Sequence, residues 1–228
     1  MATSGSVDFN LTCRNVIEEA TTIIGVRSEG MTSIPAYDAE EARRSLNLLL
    51  KSWSVKLHKW LKTESTITPL AATASYALTP KPYKVLSIRR RLSNIDVPLT
   101  QLSYEQYFDL PNKASTGVPN SFAFNPQRTT GTVYLWPTPD SNFVTNGSLR
   151  YTYTRQIEDV DSLDNDLDVP QEWFEALCFS LADRLAIKYP AVDAQQRADL
   201  KERAAILYQG LVDFDQEDTS LFLSPSFQ

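Results

Sequence analysis

The spacing of apolar residues changes period twice along this chain, and that double switch restricts the folds open to it more than any other feature. Near the start, Cys13, Val16, Ile17, Ala20, Ile23 and Ile24 recur at intervals of three and four, which places them on one face of a helix. A helix is therefore predicted over 12–24, with Gly25 as its stop. A second is predicted over 38–61. There Asp38 and Glu41 have capping-box spacing, and Ala42, Leu46, Leu49, Leu50, Trp53, Leu57 and Trp60 form an apolar stripe. Arg43, Arg44, Lys51, Lys56 and Lys59 fall mostly off that stripe, the last of them close to the negative end of the helix dipole.

From 63 to 157 the texture is that of β-structure, with most of the prolines, β-branched residues and tyrosines. Runs at 65–70, 75–78, 83–90, 97–100, 121–125, 131–136 and 148–155 are bounded by turn residues and read as strands of an antiparallel sandwich or small barrel. In the last run Leu149, Tyr151 and Tyr153 alternate with Arg150, Thr152 and Thr154. A short helix over 104–109 interrupts the series, with Ser103 and Gln106 at capping spacing.

Helical spacing returns at Pro170, a residue suited to the first helical position. Phe174, Leu177, Leu181 and Leu185 mark its buried stripe, and Tyr189-Pro190 ends it. Asp193 caps a last helix through 211, with Ala194, Ala198, Ala205 and Tyr208 on one face. The expected fold class is α+β. A helical bundle forms from 1–62 and 168–212, and an antiparallel β-sandwich-like region over 63–157 is inserted into it. An acidic connector over 158–167 and an extended tail over 213–228 complete the organisation.

Chemistry is harder to find. With 22 Lys and Arg against 28 Asp and Glu, the net charge of -6 argues against a free-standing nucleic-acid clamp, because neutralising phosphates takes clustered cations. Cys13 and Cys178 lie on apolar helix faces and read as small buried hydrophobes of a reducing compartment. No run reaches transmembrane length, and MATSGSVDFN lacks the regions of a signal peptide, so the protein is expected to be made in the cytosol and used there or inside a particle.

His58, the single histidine, is expected on the basic, solvated side of the second helix, and His58→Gln is expected to leave assembly intact. Without a G-x-S-x-G elbow or a second histidine, neither a serine triad nor a zinc site is supported. The seven glycines form no phosphate cradle. Asp164, Asp166, Asp168 and Glu175 stand at calcium-loop positions, but Val169 occupies the turn position that needs glycine and Pro170 opens a helix. A solvated acidic connector is the expectation, and no cofactor or metal is assigned. Arg89, Arg90 and Arg91 form the basic cluster of the β region, and an acidic neighbour is the expected partner in preference to DNA phosphate.

Several segments in series resemble a known family: IIGVRSEG, DAEEARRSLNLLLKSW, ITPLAATASYALTP, DVPLTQLSYEQYFDLP, GVPNSFAFNP, GTVYLWPTPD and DVPQEWFEALCFSLADRLAIKYP. In this order they are similar to the head-to-tail adaptor, or tail accessory factor, family of short-tailed double-stranded DNA phages. The resemblance spans about residues 10–190. It implies a non-enzymatic virion protein at the head-tail junction. Copies, usually twelve, form a ring beneath the portal protein, continue its DNA channel and offer a platform to a tail nozzle or hub. Double-stranded DNA passes through without sequence-specific binding.

The tail lies beyond the resemblance. Leu221, Phe222, Leu223 and Phe227 are large apolar groups without a core of their own, and leaving each in water forgoes about 1.5–3 kcal/mol. Ser224-Pro225 disfavours helix, so an extended peptide docked into the portal is expected, with a frayed terminus as the alternative. Pairing of Arg89, Arg90 and Arg91 with Asp164, Asp166 and Asp168 of a neighbouring copy is the expected subunit contact. Two other classes compete with this assignment: a carboxylate-dependent glycan hydrolase, and a glycan- or protein-binding module using Tyr134 and Tyr153.

Overall fold

In a computed structural model the helical and β segments resolve into two compact units, one of residues 1–53, 58–60 and 158–228, the other of 54–57 and 61–157. The description covers residues 3–26, 34–56, 58–189 and 192–215. The tail residues Leu221, Phe222, Leu223 and Phe227 lie outside it, as do Leu57, Pro190 and part of IIGVRSEG.

The helical unit begins with α1 (Cys13–Ile23), whose Thr12 N-cap and Asn15 form a reciprocal capping box. Gly25 follows at φ 70, the left-handed backbone that glycine adopts without strain. Helix α2 (Ala36–Ser54) departs from expectation at both ends, starting two residues before Asp38 and stopping at Ser54. Its stripe of Ala42, Leu46, Leu49, Leu50 and Trp53 is buried as its spacing demands. After a 3-10 turn at Gln171–Trp173 comes α5 (Phe174–Ala186), with Phe174, Leu177, Leu181 and Leu185 all buried. It packs against both α1 and α6 (Ala194–Phe214).

Asp193 caps α6 by accepting from the Gln196 amide, as expected. The buried face of α6 is a different one, however. Leu200 and Ala204 are buried, whereas Ala194, Ala198 and Ala205 are exposed and Tyr208 is half-buried. The helix also runs to Phe214, two residues into the segment assigned to the tail. No helix among the described residues is long and apolar enough to cross a membrane.

Cys13 and Cys178 are buried free thiols, and burial pushes them up from 9.0 to about 11 and about 12. A thiol raised in the fold stabilises it below its ordinary value and yields that contribution as pH climbs through the folded value. At mildly alkaline pH both are expected to resist a disulfide-exchange reagent until the helical unit unfolds. Labelling that precedes the loss of helical circular dichroism would contradict this burial.

The β unit contains β1 (Lys62–Ile67), β2 (Ser75–Leu78), β3 (Lys84–Leu92), β4 (Ile95–Pro98), β5 (Thr100–Leu102), β6 (Thr116–Gly117), β7 (Ser121–Pro126), β8 (Gly131–Trp136), β9 (Thr138–Pro139) and β10 (Gly147–Thr154). Two short helices, α3 (Tyr104–Phe108) and α4 (Ser141–Asn146), lie between them; the second was not expected. One sheet runs β1-β10-β3-β4 and is wholly antiparallel. The second, β2-β8-β7-β5, ends on a parallel pair, β5 with β7, and a small parallel pair joins β6 and β9. Neither sheet closes into a barrel, and inward side chains of both, such as Ile88 and Leu149 from one and Phe122 and Leu135 from the other, share one core.

The antiparallel sandwich expected from sequence is present, with a parallel pair added at one edge. The single strand expected over 97–100 is two strands, parted at Leu99. Leu99 still donates to Ile88, while Thr100 already donates to Asn120 beside the other sheet. The chain thus changes sheets at the buried Leu99, and α3 lies in the crossover that lets β5 run parallel to β7.

Candidate functional site

The acidic connector is built before it is charged. Val160, 2% exposed, offers its carbonyl to both Arg43 Nη1 and Asn47 Nδ2 at 2.9 Å, and its amide donates to Asn47 Oδ1 at 2.9 Å. Asn47 is therefore a clamp on the connector. Asn165 Oδ1 accepts from the amides of Asp161 and Ser162 and so closes a tight turn. The carbonyls of Leu163 and Asn165 accept from Arg14 and Cys13, taking up amides at the start of α1 that have no partner inside the helix. Replacing Asn47 with Leu is expected to cost about 1–3 kcal/mol, since the buried Val160 amide loses its acceptor. Urea denaturation followed by circular dichroism measures it, and an unchanged midpoint would refute the clamp.

On this scaffold the acidic side chains face different ways. Asp164 pairs with Arg14 at 2.9 Å, Asp159 with Lys51 at 2.7 Å, and Asp168 accepts the Glu158 amide at 3.1 Å. Glu175, the last of the calcium-loop positions, pairs with Arg203 at 3.2 Å. These carboxylates are thus committed to separate partners. Asp166 touches the start of α1 only through a backbone bridge with Thr12, and it is exposed.

In the β unit the three consecutive arginines do not act as one patch. Alternation along β3 sends Arg89 and Arg91 to the outer face and Arg90 inward, where Nη1 donates to the Pro119 carbonyl at 2.9 Å. Arg89 pairs with Glu64 at 2.8 Å and Arg91 grips both oxygens of Asp96, at 2.7 and 3.1 Å. The hydrogen bonds from Arg91 hold the Asp96 carboxyl below its ordinary range, and the charges of Arg91, Arg150 and Arg89 act in the same direction. The hairpin tip is Ser93-Asn94, both at positive φ, and the arginines precede it.

His58 is not a solvated helix residue. Because α2 stops at Ser54, the ring turns inward, 4% exposed, and meets Trp173 edge-on at 4.5 Å. Its Nε2 lies 3.2 Å from Tyr208 Oη, and its Nδ1 lies 3.9 Å from Asp215 Oδ2. Asp215 also accepts from the Lys59 amide at 2.5 Å. Trp60 stacks parallel to the imidazole, and burial pushes the Tyr208 hydroxyl up to about 12. Sequence alone held no signal for this cluster, whose members come from elements more than 100 residues apart.

Of the two tyrosines considered for ligand binding, Tyr153 stacks on Tyr151 and Tyr134 packs with Tyr107 at 5.0 Å, both within the β unit. A cavity of about 480 Å³ lies in the helical unit between α1 and α5, with Phe174 and Phe179 in its wall and Glu18, Glu19 and Glu175 around it.

The chain matches the family model described as SU10 adaptor protein over residues 12–221. No curated protein matches it. Among solved structures, a chain described as "Virion of native gene transfer agent (GTA) particle" is 13% identical with a TM-score of 0.31, covering 82% of this chain and 87% of that one. A chain described as "Neck of empty GTA particle computed with C6 symmetry" is 11% identical with a TM-score of 0.29, covering 86% and 93%.

Proposed function

This chain belongs to the SU10 adaptor protein family, and on that premise we propose that it is a head-to-tail adaptor of a double-stranded DNA phage, of the short-tailed kind. The observation that carries this reading is the reach of the family match, which takes in both helical ends and the whole β region. In this role the protein is structural and not catalytic. Copies of it, twelve in the family pattern, form a ring beneath the portal protein at the head-tail junction of a virion assembled in the host cytoplasm. The ring extends the DNA channel and presents a platform to the tail nozzle or hub.

The helical units and the inserted β units serve as the body of the ring, and the apolar tail with Leu221, Phe222, Leu223 and Phe227 docks into the portal. Neighbouring copies meet through opposite charges, with Arg89, Arg91, Asp164 and Asp166 of the residues expected from sequence as the first candidates. Exposed pairs give about 0–1 kcal/mol each, too little to close a ring from dilute monomers. Portal docking raises the local concentration of neighbours and supplies the difference. The isolated chain is accordingly expected to sediment as a monomer at physiological salt. Electron microscopy of the chain mixed with its cognate portal tests the assignment: annular density seated on the portal is expected, and bare portals with free monomer would overturn it.

A further inference from the structure

The outer face of the β1-β10-β3-β4 sheet carries a guanidinium group that the internal ion pairs do not use. Arg150 on β10 stands directly opposite Arg89 on β3, so the two side chains share the outer face about 5 Å apart at the backbone. Arg91 follows two residues along β3 on the same face. Glu64 holds Arg89 and Asp96 holds Arg91, whereas Arg150 acts on Asp96 through its charge alone and makes no hydrogen bond or short ion pair among the described residues. Three cations against two carboxylates leave this patch positive in a chain whose net charge is -6. The complementary feature is on the same chain. The connector turn held by Asn165 exposes Asp161, Asp164 and Asp166, and only Asp164 of these is in an ion pair among the described residues.

We propose that Arg150, flanked by Arg89 and Arg91, receives the acidic connector turn of a second copy of this chain, with Asp166 and Asp161 as its partners. The contact is head-to-tail: one copy gives its sheet face and the next gives its turn, a pattern that propagates around a ring. It rests on the adaptor reading for its setting, and it revises the pairing expected from sequence. Arg90 leaves the contact because it turns inward, Asp168 leaves because it holds the Glu158 amide, and Arg150 enters.

Single charge changes test the contact, with unfolding followed on the same proteins. Arg150 gives up no hydrogen bond or short ion pair among the described residues, only its charge attraction to Asp96, and Asp166 is fixed through its backbone. Sedimentation velocity of the full chain is measured at high concentration and low ionic strength, where the Debye length is about 30 Å at 0.01 M salt. The wild-type chain is expected to associate reversibly and to dissociate as salt rises. Arg150→Glu and Asp166→Lys should each weaken association about tenfold or more, with unchanged unfolding transitions. An equimolar mixture of the two variants should restore it, because each altered face then meets an altered turn. Arg150→Gln, which removes charge without reversing it, should fall between wild type and Arg150→Glu.

Wild-type chain that stays monomeric at low salt, variants that associate like wild type, or a mixture that fails to recover would each overturn the contact. So would salt-dependent binding of duplex DNA that Arg150→Glu abolishes while self-association persists. Portal binding is measured separately on the same proteins. A chain that seats on the portal yet fails here keeps the adaptor reading and loses this contact, and the opposite pattern removes the adaptor reading alone.

Discussion

Deleting residues 216–228 is expected to leave a folded monomer that no longer co-sediments with the portal. The removed segment contains Leu221, Phe222, Leu223 and Phe227, and burial of each such side chain is worth about 1.5–3 kcal/mol. Part of that gain is spent on ordering the peptide and immobilising the partners, so the sum overstates the affinity. Even a net loss of about 3 kcal/mol weakens binding by roughly a hundredfold. The position of the cut matters. The fold places Asp213 and Phe214 in α6 and gives Asp215 the Lys59 amide, so a cut before Asp213 would damage the helical unit as well. Thermal unfolding and co-sedimentation are read together. Normal co-sedimentation of the truncated chain would refute the docking role, and failure to fold would make the tail part of a core.

The second large effect falls on the only histidine. His58→Ala is expected to destabilise the helical unit by about 2–4 kcal/mol, through the cavity left beside Trp173 and the hydrogen bond lost by Tyr208. His58→Gln should recover part of this, because an amide can still meet the Tyr208 hydroxyl but cannot fill the space of the ring. Three of the four tryptophans, Trp53, Trp60 and Trp173, lie in or beside this cluster, so their fluorescence reports its loss directly during denaturant unfolding. An unshifted midpoint for His58→Ala would contradict the packing. A variant that folds normally yet cannot support infection would instead give His58 a chemical role.

The stripes of α1 and α5, and the part of α2 up to Trp53, were determined by the order of residues alone. So were Ser103 and Gln106 as a capping box and the edges of β2 and β8, because each rests on interactions within a few residues or on a repeated period. The texture of the β region likewise follows from its composition, and the acidity of the connector is plain in its letters.

What the tertiary structure decided was every choice between locally equal alternatives. The helical period of α2 continues through Leu57 and Trp60, yet the helix ends at Ser54, whose Oγ accepts the Ile157 amide, and His58 enters an aromatic cluster completed by Trp173 and Tyr208. Alternation sorts Arg89 from Arg90, but only strand pairing sets Arg150 opposite Arg89. The break at Leu99 falls inside one expected strand, and the move to a parallel partner needs β7 in place. Asn47 becomes a clamp only when Val160, 113 residues away, arrives between its amide oxygen and nitrogen. A period records which residues seek burial, and the partner that buries them is chosen by the whole chain at once.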